Sequence, residues 1–112
     1  TSTNAITMDG ELMNVDGNGN RLAAFCYGPD SVIVFAGMNK VVPDLDSALP
    51  RVRNKATVPN VFRVNAESPC RYTGECSECK GDNSVCCQIL ITRCCKPKNK
   101  IKVILIGENL GF

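Results

Sequence analysis

Histidine and tryptophan are both absent from the 112-residue sequence. Histidine is the commonest metal ligand and the one side chain whose ordinary pKa lies near physiological pH. Its absence excludes histidine-based metal ligation and histidine-based acid or base catalysis. Any chemistry that this chain performs must therefore use other residues.

Long apolar runs and blocks of like charge are also missing. A membrane span needs about 18 or more apolar residues, and no such run occurs. Thr1 to Thr7 lack the basic and apolar regions of a signal peptide. The net charge is +2, and neither the 13 basic nor the 11 acidic residues form a long tail. We therefore expect a soluble, cytoplasmic protein that binds neither nucleic acid nor membrane.

The length suits one domain, and 44 % hydrophobic residues are enough for a core that needs no cross-links. The sequence has no initiator Met and begins with a strand-like segment, Asn4 to Thr7. We expect the chain to be the C-terminal part of a longer domain, with part of its site missing.

Eight cysteines in so short a chain would ordinarily suggest a disulfide scaffold. Here Cys26 stands alone, and all the others fall between residues 70 and 95. A disulfide framework spreads its bridges more widely, so this distribution indicates another use.

Turn residues and apolar runs predict five strand segments. Asp9-Gly10 separates two extended runs, residues 3 to 7 and 11 to 15, and favours a tight hairpin. Val32 to Ala36 is apolar without alternation, as in a parallel strand that is covered on both faces. Gln88 to Thr92 and Ile101 to Ile106 are typical strands around a basic turn.

Helical patterns lie between these strands. Leu22 to Tyr27 follows a Gly-rich loop and predicts a short helix. Apolar residues at helical spacing predict a longer helix from Pro43 to Ala56, which Pro50 should kink or break. Since strands and helices alternate, we predict an α/β fold with a mixed sheet.

One candidate site is the loop from Asp16 to Arg21. Its glycines allow close backbone approach, and the helix that follows would direct free N–H groups towards an anion. Arg21 could add a bidentate contact to a carboxylate or phosphate. The alternative is a simple turn before a helix. The predicted ligand-binding residues are Asp16, Gly17, Gly19, Asn20 and Arg21.

A second candidate site is the cysteine pattern C-x5-C-x2-C-x6-C, formed by Cys70, Cys76, Cys79 and Cys86. Four thiolates within such a loop can surround one tetrahedral zinc ion or one iron–sulfur cluster. The spacing does not distinguish zinc from a cluster, and disulfides within the loop or unligated thiols are the alternatives. We predict that Cys87 turns away from the site, and we assign no role to Cys26, Cys94 or Cys95.

Several ordered segments together resemble the LUD-domain family, the lactate-utilisation proteins, and in particular its cysteine-bearing members. The segments that carry the resemblance are Asn4-Ala5-Ile6-Thr7-x-Asp9-Gly10, Asp16-Gly17-x-Gly19-Asn20-Arg21, Tyr27-Gly28-Pro29, Asn39-Lys40, the Asp44 to Arg53 helix, Pro69-Cys70-x2-Thr73-Gly74-x-Cys76-x2-Cys79, Cys86, and residues 101 to 112.

The resemblance implies a Rossmann-like fold of the ribose-5-phosphate isomerase and CoA transferase type. Residues 1–112 would then be the C-terminal part of a LUD domain, with a cysteine-rich metal-binding loop at 69–87. The N-terminal half of the domain would be missing. The resemblance also implies iron–sulfur and flavin-linked partner subunits that oxidise L-lactate.

These expectations favour an accessory or ligand-binding subunit linked to oxidation of 2-hydroxy acids, with a cysteine-ligated zinc ion or iron–sulfur centre and a small anionic ligand. One alternative is an enzyme acting on a phosphorylated or CoA-linked small molecule. Another is a purely structural metal that ties down a long loop.

Overall fold

The computed structural model describes the whole chain, residues 1–112. It is a mixed α/β structure with two sheets and four short α-helices. The strands are β1 (Ala5–Thr7), β2 (Leu12–Asp16), β3 (Val32–Gly37), β4 (Val41–Val42), β5 (Gln88–Thr92) and β6 (Ile101–Ile106). The helices are α1 (Asn20–Cys26), α2 (Leu45–Pro50), α3 (Val58–Arg63) and α4 (Cys70–Thr73). None of these helices has the length and hydropathy of a membrane span.

The predicted hairpin is the centre of the larger sheet. β1 and β2 pair antiparallel, and Gly10 adopts a φ of +87° in the turn that joins them. β4 adds to β1 in parallel and β5 adds to β2 antiparallel, which gives the order β4-β1-β2-β5. The sheet is therefore mixed, as the sequence predicted.

The hairpin is buried on both faces. Ile6 and Leu12 pack with Phe25 of α1 on one side. Ala5 and Met13 pack with Ala48 of α2 on the other. The α-helices thus cover both faces, and the hairpin forms the middle layer of the core.

β3 and β6 form a separate parallel pair, with Val32 opposite Ile101 and Gly37 opposite Ile106. The prediction that β3 is covered on both faces is wrong. Val32, Val34 and Ala36 are buried, whereas Ile33 and Phe35 are exposed. A continuous apolar run does not reveal whether a second layer is present to cover it.

A single helical path runs from Leu45 to Arg63. The α-helical bonding of α2 ends at Pro50, and a π-helical segment, Arg51–Thr57, leads directly into α3. The sequence correctly predicted a disturbance at Pro50. It wrongly ended the helix at Ala56, because the residues beyond show no sustained apolar period.

Candidate functional site

A cavity of about 660 Å³ lies where the N-terminal segment, the loop after β2 and the helical path meet. The N-terminal segment, Ser2 to Asn4, forms one wall. Thr57, Asn60 and Arg63 form another, and Ser84 with Val85 of the cysteine loop closes the side. Three side-chain cations line the cavity, Arg21, Lys40 and Arg63, against a single side-chain carboxylate, Asp16. The cavity is therefore electropositive.

The predicted Gly-rich loop contributes only part of its residues to this cavity. Asp16, Gly17 and Arg21 line it, whereas Gly19 and Asn20 do not. Gly19 has a φ of +78°, and a Cβ there would lie 1.9 Å from the Gln88 side chain. Gly19 thus serves the turn that starts α1, and a ligand role for the loop stays a prediction.

Arg21 is held by the fold itself. Its Nη1 donates to Asn14 Oδ1 at 2.6 Å and to the Ser2 carbonyl at 3.1 Å. Its Nη2 donates to Asn4 Oδ1 at 2.9 Å and to the Val15 carbonyl at 2.8 Å. Because all four Nη hydrogens have partners, Arg21 ties the N-terminal segment to β2 and has little left to offer a ligand.

Lys40 was not predicted as a site residue. It ends a 3-10 turn, Met38–Lys40, and its side chain reaches beneath the cavity with only 5 % of the residue exposed. The Nζ donates to Ser2 Oγ at 2.9 Å. Burial lowers the pKa of Lys40, and the nearby charges of Arg51 and Arg21 lower it further.

The neighbouring Asn39 forms hydrogen bonds with the C-terminal segment, which passes close to Lys40. Its Nδ2 donates to the Gly111 carbonyl at 3.0 Å, and its Oδ1 accepts from the Leu110 N–H at 3.1 Å. A Cβ on Gly111 would lie 3.5 Å from Lys40 Nζ. The Asn39-Lys40 pair therefore joins β3, the C-terminal segment and the cavity.

The cysteine loop folds against the π-helical segment. Cys70 is buried at the start of α4, which ends at Gly74 with a φ of +74°. The Cys76 N–H donates to Asn54 Oδ1 at 3.0 Å, and Arg53 pairs with Glu78. These contacts position the C-x2-C turn on the helix.

The sulfur atoms of the loop have polar partners. Cys76 Sγ accepts a hydrogen bond from the Glu78 N–H at 3.5 Å. Cys86 Sγ donates to Thr57 Oγ1 at 3.5 Å. Cys87 is exposed and donates to the Ser84 carbonyl. All eight cysteines are free thiols, so the structure contains no disulfide.

The pKa values of two predicted metal ligands, Cys70 and Cys86, are raised in the structure. Burial raises the pKa of the Cys70 thiol, and Cys79 and Cys76 raise it further. Burial also raises the pKa of Cys86, a hydrogen bond with Thr57 opposes this rise, and Cys76, Cys70 and Cys79 add to it. No three Cys, Asp or Glu side chains meet in metal-ligating geometry, so the metal site stays a prediction.

The LUD-domain family model matches residues 1–106. This chain belongs to the LUD-domain family. The LUD domain is linked to lactate utilisation, and its fold agrees with the mixed α/β structure described above. No curated protein and no solved structure matches the chain.

Within this LUD domain, Thr57 connects the two candidate sites. Its Oγ1 accepts the hydrogen bond from Cys86 Sγ and donates to the Val52 carbonyl at 3.0 Å, five residues back. The same residue lines the cavity. The π-helical segment thereby brings the cysteine loop and the cavity into contact.

Proposed function

We propose that this LUD domain is an accessory, ligand-binding subunit of a 2-hydroxy acid oxidation system. In this proposal Cys70, Cys76, Cys79 and Cys86 hold one metal centre, and a small organic acid binds in the neighbouring cavity. The observation that carries the proposal is the position of Thr57, which contacts Cys86 and lines the cavity. A bound acid would thus lie beside the metal centre.

The donor set suits a thiolate-bound metal. Four reduced thiols are available, and hydrogen bonds to cysteine sulfur are a means by which proteins tune such centres. The N–H of Glu78 already points to Cys76 Sγ within the C-x2-C turn. A zinc ion and an iron–sulfur cluster both accept this donor set.

Side-chain packing stabilises the cysteine loop only in part, so a metal cross-link would add the stability that the loop lacks. Between α4 and β5 the side chains are exposed or half-buried. Ordering the backbone costs about 1 to 2 kcal/mol per residue. A four-thiolate zinc site contributes on the order of 10 kcal/mol near neutral pH, which would offset much of that cost.

The charge of the cavity supports an anionic ligand. Arg21, Lys40 and Arg63 line it, with Asp16 as the single side-chain carboxylate. A cavity of 660 Å³ lies in the range common for small-molecule sites, about 300 to 1,000 Å³. A 2-hydroxy or 2-oxo acid is a ligand of this charge.

The proposed partners are a further segment of the same α/β fold and iron–sulfur and flavin-linked subunits. The apolar face of β3 and β6 supports this part of the proposal. Ile33, Phe35 and Ile104 are each more than two-fifths exposed. Parallel strands are normally covered on both faces, so another α/β segment would fit there.

Metal analysis and absorption spectra of protein purified without oxygen test the metal part of the proposal. We expect one zinc ion or one coloured cluster per chain, strongly reduced in Cys79→Ser and unchanged in the matched control Cys94→Ser. Metal-free wild type, or equal metal content in both variants, would refute it.

If Cys79→Ser only lowers stability while folded protein binds the acid normally, the metal is purely structural. If the wild type turns over a phosphorylated or CoA-linked substrate, the enzyme alternative holds.

A further inference from the structure

The buried ammonium of Lys40 lacks a counterion. Lysine is almost never buried to this degree unless it is paired. The three ion pairs of the protein are Arg21 with Asp16, Arg53 with Glu78 and Arg93 with Glu11, and none includes Lys40. Its one hydrogen bond goes to the neutral hydroxyl of Ser2. Since an ammonium has three donors, two remain without a protein partner.

Two further cations lie near the Lys40 ammonium, and no carboxylate lies close enough to neutralise the three charges. Arg51 lies close by, and its guanidinium donates to the carbonyls of Asn39 and Asn4. Arg21 is also nearby and has one distant carboxylate, Asp16, at 4.0 Å. Carbonyls satisfy hydrogen bonds but do not neutralise charge, so a bound anion would stabilise this group of three cations.

The cavity gives an anion access to Lys40. Lys40, Ser2 and Gly111 all line it. Ser2 holds the ammonium at 2.9 Å, and the Gly111 backbone passes close to Nζ without a side chain to cover it. The ammonium of Lys40, with two unmatched donors, thus belongs to a residue of the cavity wall.

We propose that Lys40 is the anion-binding residue of this cavity and that it takes the carboxylate of a small organic acid. The choice of a 2-hydroxy or 2-oxo acid rests on the proposed function above, whereas the anion site itself does not. Lys40 offers a single point charge with free donors, which suits a singly charged carboxylate. Bidentate guanidinium forks favour phosphate, but Arg21 and Arg51 are committed to the fold, and Arg63, the other arginine of the cavity, is an exposed residue; the titration with phosphate below decides between the two anions.

Calorimetric titration of the wild-type chain with L-lactate, pyruvate and inorganic phosphate tests this site. We expect Lys40→Met to bind lactate or pyruvate about tenfold to a hundredfold more weakly than wild type, the usual effect of losing a charged hydrogen bond. Lys40→Arg, which keeps the charge, should retain part of the affinity. The matched control Lys98→Met, at an exposed lysine outside the cavity, should bind as wild type does. Equal binding by Lys40→Met and wild type would overturn the proposal, as would binding of phosphate alone.

A thermal scan separates this role from a structural one. Without anion, Lys40→Met should melt at the same temperature as wild type or higher, because the change removes an unpaired buried charge. Added lactate or pyruvate should raise the melting temperature of wild type and not that of Lys40→Met. A lower melting temperature for Lys40→Met in the absence of anion, with unchanged acid binding, would show that Lys40 serves the fold alone. Metal content is measured on the same samples, so a failed metal centre and a failed anion site remain distinguishable.

Discussion

At the scale of single residues, the space around one glycine determines how closely two segments of the chain can pack. That glycine is Gly37. It lies where β3 ends, and a Cβ there would come within 2.5 Å of the Leu110 nitrogen and 2.7 Å of the Glu108 carbonyl oxygen. Both neighbours are backbone atoms, which cannot rotate away. The close approach of the C-terminal segment to β3 therefore requires glycine at this position.

We predict that Gly37→Ala lowers the free energy of unfolding by about 1 to 3 kcal/mol, the usual cost of forcing extra volume into a packed site. Urea titration followed by circular dichroism measures the change. Gly107→Ala is the matched control, because a Cβ there would meet no atom within 4 Å and its φ lies outside the left-handed region. Equal stability of the two variants would show that the C-terminal segment is not held as described.

The residue scale is also where sequence reasoning missed the most. Lys40 stands in an ordinary apolar context, and nothing local shows that its side chain is buried beside Arg21 and Arg51. That burial arises from contacts between segments far apart in the chain. The Asn39-Lys40 pair was singled out only through the family resemblance, which was the one available signal.

At the scale of elements, local chemistry predicted most strands and turns. Asp9-Gly10 determines the hairpin, and the β5 and β6 boundaries coincide with those expected. The pairing of strands could not be predicted, because β5 joins β2 and β6 joins β3 across long stretches of chain. The continuation of the helix beyond Ala56 was missed, because the residues that follow show no sustained apolar period.

The π-helical segment is the element that links both candidate sites, and Pro50 precedes it. Pro50 has no N–H to donate to the Asp46 carbonyl, which costs up to about 3 kcal/mol in a helix interior. We predict that Pro50→Ala raises the urea midpoint, because the flanking residues already have helical dihedral angles. Pro97→Ala, in the turn before β6, should leave the midpoint nearly unchanged. A lower midpoint for Pro50→Ala would mean that the packing of the π-helical segment requires proline.

At the scale of the whole molecule, the β3–β6 pair is the least covered part. Phe35 is 48 % exposed and Leu105 50 %, and these residues lie on opposite faces of the pair. β6 has no second strand neighbour, so one of its edges is free. Exposed apolar strands with a free edge favour association with other chains.

We predict that the chain alone associates as its concentration rises and that Ile104→Lys reduces this association. Sedimentation velocity at several concentrations measures it. Met8→Lys is the control, since Met8 is exposed in the hairpin turn and lies outside this face. If Ile104→Lys associates as strongly as wild type, the chains contact each other through another surface.

In the proposed function the metal centre and the acid-binding cavity are neighbours through Thr57, so binding of the acid should perturb the metal centre. The visible absorption spectrum of the iron–sulfur protein, or of cobalt-substituted protein if the metal is zinc, is recorded during titration with L-lactate. We expect a spectral change that saturates at the same concentration as the calorimetric binding curve and disappears in Lys40→Met. A spectrum that stays constant while calorimetry shows the cavity filled would contradict it.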